Sequence, residues 1–330
     1  MKIGGAARFF VFAETESQVV DAFCFAGKKG LETFVLGGGS NILISDDGFD
    51  GFVVQVGIKG IEFEKADSKT RLTAGAGEDW DTLVAATVER DLAGFECLSG
   101  IPGFVGGTPV QNVGAYGQDV SETITVVRCF DRTNGKVVDL SNGECGFSYR
   151  RSIFNSTERR RYVVLTVTYE LTQNGPPKIA YKDLSETFGG REPTLAETRE
   201  AVLKIRRSKS MVIDASDPNS QSAGSFFKNP IVGAETVDAI RKIAGTDRVP
   251  SFQYSSGLVK VPAAWLIENA GFHKGFRFGN AGISTNHSLA LVNFGGATAA
   301  EIIALKDLIQ SRIVEKFSVR LEPEPIFVGF

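Results

Sequence analysis

Three consecutive glycines begin the first segment of this chain that could bind an anion. The segment reads Leu36-Gly37-Gly38-Gly39-Ser40-Asn41 and follows a short apolar stretch that indicates a strand. Consecutive backbone N–H groups in such a turn can form a concave anion site, and the side chains of Ser40 and Asn41 would add donors. A pyrophosphate would suit this site, and a tight turn without a ligand is the competing interpretation. A Rossmann fingerprint is excluded, because Ile42 occupies the place of its last glycine.

A second glycine-rich segment covers residues 100–117. Its two halves read Gly100-Ile101-Pro102-Gly103-Phe104-Val105-Gly106-Gly107-Thr108 and Gln111-Asn112-Val113-Gly114-Ala115-Tyr116-Gly117. Glycine at this density lets backbone amides approach a large flat ligand closely. The alternative is an ordinary glycine-rich loop between strands. The presence of both segments in one chain favours the ligand-binding interpretation.

Composition and charge exclude several classes of protein. The net charge of −3 argues against a nucleic-acid binder. The basic run 159–161 is too short for an interaction tail and predicts a solvated loop. No two of the four cysteines form a CxxC pair, which argues against a metal knuckle and indicates a reducing cytoplasm. No apolar stretch is long enough to span a membrane, and the 330 residues favour two domains.

Elements that could position these segments are visible in the apolar periodicity. Strand and helix signals alternate over the first 90 residues. Asn134-Gly135, between two apolar runs, predicts a β-hairpin. Thr194 and Glu197 form a capping box that opens a helix ending near Arg207. The other predicted helices are Ser17–Lys29, Trp80–Val88, Ala234–Ala244 and Ala299–Phe317; the other predicted strands are Phe34–Leu36, Tyr162–Leu171 and the tail Leu321–Phe330.

Five motifs in order resemble those of the UDP-N-acetylenolpyruvoylglucosamine reductases. Two of them are the glycine segments described above. The other three are Tyr149-Arg150-Arg151-Ser152-Ile153-Phe154, Gly224-Ser225-Phe226-Phe227-Lys228-Asn229-Pro230 and Leu321-Glu322-Pro323-Glu324. Together they extend from residue 37 to residue 324, and five ordered motifs are far more specific than any one of them.

The resemblance implies a fold and a domain organisation. An α+β flavoprotein is expected, with an FAD-binding domain of two αβ subdomains in a fold like that of vanillyl-alcohol oxidase. This domain would cover residues 1–205 and divide near residue 57. A smaller α+β substrate domain would cover 206–330, with its last strand packing back toward the flavin site.

The resemblance also implies a reaction. NADPH would reduce non-covalently bound FAD, which would then reduce UDP-N-acetylglucosamine enolpyruvate to UDP-N-acetylmuramate for peptidoglycan synthesis. Arg150 and Glu324 would stabilise the enolate-like charge that hydride transfer creates, and Ser225 would supply a proton to the α-carbon. Each residue has a simpler alternative: Arg150 could pair with a surface carboxylate, Ser225 could be a turn residue, and Glu324 an exposed strand residue.

Further contacts follow from the same resemblance. Tyr181 corresponds to the tyrosine of the extra loop in one subgroup of the family, whereas His273 is expected on the surface. The expected cofactor-binding residues are Gly37, Gly38, Gly39, Ser40, Asn41, Pro102, Gly103, Gly106, Gly107, Thr108, Asn112, Gly114, Ala115, Tyr116 and Arg206. The expected substrate-binding residues are Tyr149, Tyr181, Lys209, Asn229 and His287.

Two features depart from the family pattern. The chain begins almost at the Gly4-Gly5 pair, so either a truncated start or a missing first strand is expected. The segment 209–224 is longer than in familiar relatives.

The expected protein is a cytoplasmic monomer that acts on a small molecule, with no metal, nucleic-acid or membrane partner. The alternatives are a flavin oxidase of the same superfamily and a non-catalytic protein that binds a flavin or nucleotide.

Overall fold

The computed structural model describes residues 1–330, except for the side chain of Ala66. The chain forms two compact units. The larger unit comprises Ala7–Gly39 and Asp50–Arg207, and the C-terminal unit comprises Met1–Ala6, Ser40–Phe49 and Ser208–Phe330. The division after Arg207 lies near the boundary expected from the sequence, but residues 1–6 and 40–49 belong to the C-terminal unit. The assignment of 1–205 to flavin binding and of 206–330 to substrate binding stays a prediction.

The elements confirm the predicted α+β class. The helices are α1 (Glu16–Lys29), α2 (Trp80–Val88), α3 (Lys182–Phe188), α4 (Leu195–Ser208), α5 (Ala234–Ala244), α6 (Ala263–Asn269) and α7 (Ala299–Phe317). The strands are β1 (Ala7–Ala13), β2 (Thr33–Leu36), β3 (Ile42–Ile44), β4 (Phe49–Val56), β5 (Ile61–Ala66), β6 (Lys69–Gly75), β7 (Leu92–Ala93), β8 (Gly114–Ala115), β9 (Gln118–Asp119), β10 (Ile124–Asp131), β11 (Lys136–Ser141), β12 (Tyr162–Gln173), β13 (Ile231–Gly233), β14 (Phe252–Ser255), β15 (Leu258–Lys260), β16 (Arg277–Phe278), β17 (Ala281–Ile283), β18 (Leu291–Asn293) and β19 (Ile326–Val328).

The first sheet of the larger unit has the strand order β1-β4-β2, with β2 parallel to β4. Helix α1 begins after Thr15, whose side chain accepts a hydrogen bond from the Gln18 N–H, and ends at Gly30 in the left-handed conformation. It buries Val19, Ala22 and Ala26. Strand β2 then runs directly into the three glycines at 37–39.

The second sheet of the larger unit has the order β11-β10-β12-β6-β5, and β7 adds to β12. Its β10–β11 hairpin confirms the turn predicted at Asn134-Gly135. Asp79 caps the start of helix α2, and its carboxylate accepts the N–H of Thr82. The helix places Trp80 in the core against Phe95 and Tyr169, at ring-centroid distances of 4.8 and 6.2 Å. This core supports the 100–117 segment.

The run 159–161 is not simply a solvated loop. Arg161 Nη2 lies 2.8 Å from an oxygen of Asp131, whose residue is 1% exposed. Hydrogen bonds from Arg161 and from Thr133 hold the pKa of this carboxyl well below its usual value. The prediction was wrong for Arg161, because the carboxylate it pairs with lies 30 residues earlier on β10.

The C-terminal unit is assembled from the distant ends of the chain. Strand β19 pairs in parallel with β3, from Ile326 opposite Ile42 to Val328 opposite Ile44. Helix α7 begins with a capping box formed by Thr298 and Glu301, and the carboxylate of Asp46 accepts two more N–H groups of its first turn, at 2.7 and 3.0 Å. Segment 40–49 is therefore tied into this unit by both a strand and a helix cap.

The C-terminal tail is a shorter strand than predicted, because only Ile326–Val328 forms one. Backbone bonds from residues 322–324 go to residues 226–228, and the two prolines at 323 and 325 have no N–H to extend a ladder.

Candidate active site

The two glycine segments are in backbone contact. A Cβ added to Gly38 would lie 2.7 Å from the Cα atom of Gly103, so neither the turn after β2 nor the 100–117 segment could keep its path with a larger residue at position 38. Gln55 Nε2 donates to the Gly37 carbonyl oxygen at 2.9 Å, and the Trp80 N–H donates to the Gly103 carbonyl oxygen at 3.0 Å. Sequence reasoning predicted that both segments serve one ligand, and the structure brings them together.

The stretch 102–108 combines a buried side and an open side. The Gly106 N–H donates to the Ala76 carbonyl oxygen at 2.9 Å, whereas a Cβ at Gly107 would meet nothing within 4 Å. The hydroxyl of Thr108 lies 2.8 Å from the Val105 carbonyl oxygen and 3.1 Å from the Tyr169 hydroxyl. Gly107 therefore presents backbone to open space, while the Thr108 side chain supports the loop from within.

Asn112 joins this loop to the turn that carries Arg150. Its side chain is buried, and its Nδ2 donates to the Ser148 carbonyl oxygen at 3.0 Å while its Oδ1 accepts from the Ser121 N–H at 3.1 Å. The sequence predicted Asn112 as a cofactor contact, and these two bonds give its amide a structural role. Gly114 and Ala115 follow on β8, paired with β9.

Arg150 occupies a tight turn between Ser148 and Arg151, whose N–H and carbonyl groups bond each other in both directions. Its backbone has φ 54°, in the left-handed region that non-glycine residues rarely adopt. Arg150 Nη2 donates to the Gly114 carbonyl oxygen at 2.5 Å, and Asn155 Nδ2 donates to the carbonyl oxygen of Arg150 at 3.1 Å. The guanidinium carbon also lies 5.4 Å from the centre of the Tyr149 ring.

Two further predicted residues meet at Tyr116. Its ring packs edge-on against that of Tyr181, with 5.6 Å between centroids and an interplanar angle of 88°. Its hydroxyl is hydrogen bonded to Arg206 of α4, and burial raises the pKa of this phenol. Arg206 is itself buried, which lowers the pKa of its guanidinium. Three residues assigned separately by motif thus form one contiguous group.

Ser225 and Glu324 lie at the ends of neighbouring extended segments. The Glu324 N–H donates to the Phe226 carbonyl oxygen at 2.9 Å, and the Lys228 N–H donates to the Glu322 carbonyl oxygen at 2.9 Å. Phe226 and Phe227 are buried and anchor this pairing in the core of the C-terminal unit. The two predicted catalytic residues of this unit, both half-buried, are therefore placed by one backbone ladder.

His287 lies beside Ser225, with 3.4 Å between His287 Nε2 and Ser225 Oγ. Asn41 and Asn229, two of the other predicted residues of this unit, bond groups within the unit. Asn41 Nδ2 donates to the Glu324 carbonyl oxygen at 3.2 Å, and Asn229 Oδ1 accepts the N–H of Ala263 at 2.9 Å, at the start of α6. Lys209 is half-buried and directly precedes Ser210, whose hydroxyl accepts from Asn286.

Sequence reasoning missed Asn219, which lies in the segment noted only for its length. Its Oδ1 accepts hydrogen bonds from the Ser284 hydroxyl and from both the N–H and the hydroxyl of Thr285, at 2.9 to 3.2 Å. These bonds fix the start of the loop that carries His287. The motif Asp217-Pro218-Asn219, which forms a capped 3₁₀ turn, is the local signal that could have indicated a rigid support.

Comparison with known proteins assigns the chain. It is 44% identical to the UDP-N-acetylenolpyruvoylglucosamine reductase of Thermobifida fusca, with 99% of this chain and 94% of that protein covered. The chain belongs to the UDP-N-acetylenolpyruvoylglucosamine reductase family. The reductase of Streptomyces coelicolor is also 44% identical, covering 99% of this chain and 87% of that protein. Residues 7–141 match the profile of an FAD binding domain, and residues 217–328 match that of the reductase family's C-terminal domain.

A solved reductase has the same fold. The crystal structure of the Thermus caldophilus enzyme superposes with a TM-score of 0.64 at 25% sequence identity, covering 97% of this chain and 92% of that one. As a member of the reductase family, the chain is an FAD-dependent oxidoreductase. Across the described residues, no helix has both the length and the apolar character needed to cross a membrane. The same residues contain no cluster of three His, Cys, Asp or Glu side chains suited to a metal ion.

Proposed function

We propose that this reductase uses NADPH and FAD to convert UDP-N-acetylglucosamine enolpyruvate into UDP-N-acetylmuramate, in the synthesis of peptidoglycan precursors. The observation that carries the proposal is the 44% identity to named reductases over 99% of the chain. The five ordered motifs at 37–324 support it, because they include an arginine, a serine and a glutamate suited to reducing an enolpyruvyl ether. A cytoplasmic monomer is proposed on the same grounds.

The larger unit has features that fit a flavin nucleotide. Gly38 touches Gly103 at backbone distance, and Gly107 leaves its backbone facing open space. Such glycines let N–H groups reach a pyrophosphate or an isoalloxazine ring without an intervening side chain. We assign FAD contacts to the glycines of both segments, with Tyr116 and Arg206 as the adjacent polar pair.

When bound, FAD would supply hydride chemistry, with NADPH as the donor and the methylene carbon of the enolpyruvyl group as the acceptor. The negative charge that appears on the substrate spreads over the neighbouring carboxylate and needs a fixed cation. Arg150 suits that role, because its guanidinium is held by Gly114 and its backbone by Asn155. Groups that are already oriented stabilise developing charge without reorganising during the reaction.

The C-terminal unit supplies the proton and a second stabilising group. We assign the proton for the α-carbon to the Ser225 hydroxyl and charge stabilisation to a protonated Glu324. Tyr149, Tyr181, Lys209, Asn229 and His287 are proposed to bind the sugar nucleotide. Tyr181 directly precedes α3 and is 43% exposed, so its ring is accessible to a ligand.

A steady-state assay tests the function. The purified protein should be yellow and release FAD on denaturation, and it should oxidise NADPH rapidly only when UDP-N-acetylglucosamine enolpyruvate is added. An oxygen electrode run in parallel tests the oxidase alternative. Oxygen consumption that is independent of the sugar nucleotide, or a protein that binds flavin without turnover, would overturn the proposal.

A further inference from the structure

The hydrogen bond between His287 and Ser225 joins two groups that can exchange a proton. His287 Nε2 lies 3.4 Å from Ser225 Oγ, and both residues are half-buried. This distance is longer than the usual hydrogen-bonding range of about 2.7–3.2 Å, and bonds between catalytic groups often shorten when the reacting complex forms. Histidine is also the side chain whose ordinary titration falls nearest neutral pH.

The placement of this pair is imposed by backbone bonds on both sides. The Phe226 N–H, next to Ser225, donates to the Leu289 carbonyl oxygen at 2.7 Å. The loop 284–290, between β17 and β18, is closed at its base by the Ser284 N–H bonding the Ala290 carbonyl oxygen at 2.9 Å. His287 is at the middle of this loop, and its own carbonyl oxygen accepts the N–H of Ala290 at 3.0 Å.

Side chains brace the loop on either side of His287. Asn286 Nδ2 donates to the Ser210 hydroxyl at 2.8 Å, and the Ser288 hydroxyl donates to a carboxylate oxygen of Glu268 on α6. Residues on both sides of the imidazole are therefore hydrogen bonded.

We propose that His287 acts through Ser225 as a proton relay, returning a proton to the serine oxygen as the serine protonates the α-carbon of the reduced substrate. The proposal rests on the proposed reductase function. The balance is one hydride to the methylene carbon, which FAD reduced by NADPH would supply, one proton from Ser225 Oγ to the α-carbon, and one proton from the imidazolium Nε2 to Oγ. Neutral His287 then recovers a proton from solvent.

The relay explains how the Ser225 oxygen could regain the proton that it gives to the substrate. A serine that gave up its proton unaided would become an alkoxide, a far stronger base than imidazole, and would need another proton before the next turnover. An N–H on Nε2 pointing at Oγ leaves the hydroxyl hydrogen free to face the substrate. The proton transfers can then occur without a free alkoxide.

Three charged residues lie on segments that are joined to the His287 loop or to the Ser225 strand. Glu268 on α6 is bonded to Ser288, Lys209 precedes the Ser210 that binds Asn286, and Glu324 is joined by its N–H to Phe226. Carboxylates near an imidazole favour its charged form and a lysine disfavours it. The pH profile of a His287 variant must therefore be compared with that of the unsubstituted enzyme, with Glu268, Lys209 and Glu324 present in both proteins.

His287→Gln is the informative variant, since glutamine can still bond the hydroxyl but does not titrate. The chain has two histidines, so the exposed His273 supplies the matched control His273→Gln. Stopped-flow absorbance should show normal flavin reduction by NADPH in both variants. Reoxidation by saturating sugar nucleotide should slow by about tenfold or more in His287→Gln only.

The pH dependence of that reoxidation separates a relay from a substrate contact. In the unsubstituted enzyme the rate should fall as pH rises through the titration of His287, and in His287→Gln this step should disappear. A raised dissociation constant for the nucleotide with an unchanged saturated rate, or an unchanged pH profile, would overturn the relay. Failure of the unsubstituted enzyme to be reoxidised by the nucleotide would instead overturn the reductase function itself.

Nuclear magnetic resonance of the imidazole groups gives a readout without activity. The two substitutions assign the two histidine signals. Ser225→Ala should shift the titration of His287 while leaving that of His273 unchanged. If neither titration responds to Ser225→Ala, the two groups are not coupled and the relay is wrong.

Discussion

Arg150 Nη2 donates a hydrogen bond to the carbonyl oxygen of Gly114 at 2.5 Å, from a residue whose backbone is in the left-handed region at φ 54°. A long cationic side chain thus occupies a turn position whose left-handed backbone conformation glycine adopts most readily. The non-glycine residues Asn112 and Tyr116 are also left-handed, at φ 43° and 51°. Local strain of this kind collects where function demands a particular side chain.

Replacing Arg150 separates that strain from the function of the guanidinium. Arg150→Gly and Arg150→Ala both remove the cation, and both should slow flavin reoxidation by the enolpyruvyl nucleotide by about a hundredfold or more. Because alanine keeps the left-handed penalty, Arg150→Gly should be more stable by about 1 kcal/mol. Urea unfolding of the two variants measures the difference in their free energies of unfolding. Equal stability would show that the turn in Arg150→Ala adopts another backbone conformation and avoids the left-handed penalty.

Ser225→Ala should separate the two halves of the reaction. Flavin reduction by NADPH precedes proton transfer to the sugar nucleotide and needs no hydroxyl at position 225. Positioned general acids contribute about 10²–10⁴-fold, so reoxidation by substrate should slow by that order. Stopped-flow absorbance resolves the two phases, and equal slowing of both would mean that Ser225 shapes the flavin site.

Tyr181→Phe and Lys209→Ala should raise KM more than they lower kcat. Both residues are assigned to the nucleotide, away from the bonds that change, and uniform binding is expressed in KM. Tyr181→Phe should keep the edge-on packing against Tyr116. Lys182→Ala is the matched control, since this neighbouring lysine side chain is 82% exposed and faces Glu186 at 3.5 Å. A normal KM with reduced turnover would contradict the assignment.

Gly107→Ala should weaken FAD binding without destabilising the apoprotein. A Cβ at this position meets no protein atom within 4 Å, so any loss of affinity reports contact with the flavin. Gly27→Ala, with equally open space inside α1, should stabilise by about 0.5–1 kcal/mol and leave FAD affinity unchanged. Fluorescence titration of apoprotein with FAD compares them, and equal affinities would remove Gly107 from the flavin site.

Arg161→Ala should lower the thermal midpoint at neutral pH, whereas Arg159→Ala should change the stability by no more than about 0.5 kcal/mol. The reason is that Arg161 pairs with the buried carboxylate of Asp131, while Arg159 is exposed. The folded-state pKa of Asp131 is depressed, so the pair stabilises above the unfolded pKa of about 3.9 and loses its effect as pH falls through the folded pKa. Calorimetry should therefore show that the difference in thermal midpoint between Arg161→Ala and the unsubstituted protein becomes smaller below about pH 4.

Helices with local signals were predicted well from the sequence. Helices α5 and α7 begin and end where apolar periodicity placed them. The structure adds their caps, a left-handed Gly245 after α5 and a capping box at Thr298 before α7, and both act over a few residues. The membership of segment 40–49 in the C-terminal unit could not be predicted in this way. It depends on β3 pairing with β19 and on Asp46 capping α7. Neither interaction can be recognised from the residues near segment 40–49, because both partners lie more than 200 residues away.

In the candidate site too, local motifs could be predicted from the sequence and long-range hydrogen bonds could not. Motif matching selected Arg150, Ser225 and Glu324 by residue type and order, and their roles stay predictions. It could not show that the amides of Asn112 and Asn41 bond carbonyl oxygens distant in sequence. Asparagine within a binding motif looks the same whether it faces a ligand or supports the loop, and the difference lies in its hydrogen-bond partners.

The pairing of β19 with β3 has a consequence for how the protein is made. Asn41 and Glu324, joined by a hydrogen bond beside that pairing, are 283 positions apart in the sequence. During translation, β3 therefore has no partner strand until synthesis has passed residue 328. The larger unit can complete its sheets first, while segment 40–49 still lacks the strand and the helix that hold it in the folded protein.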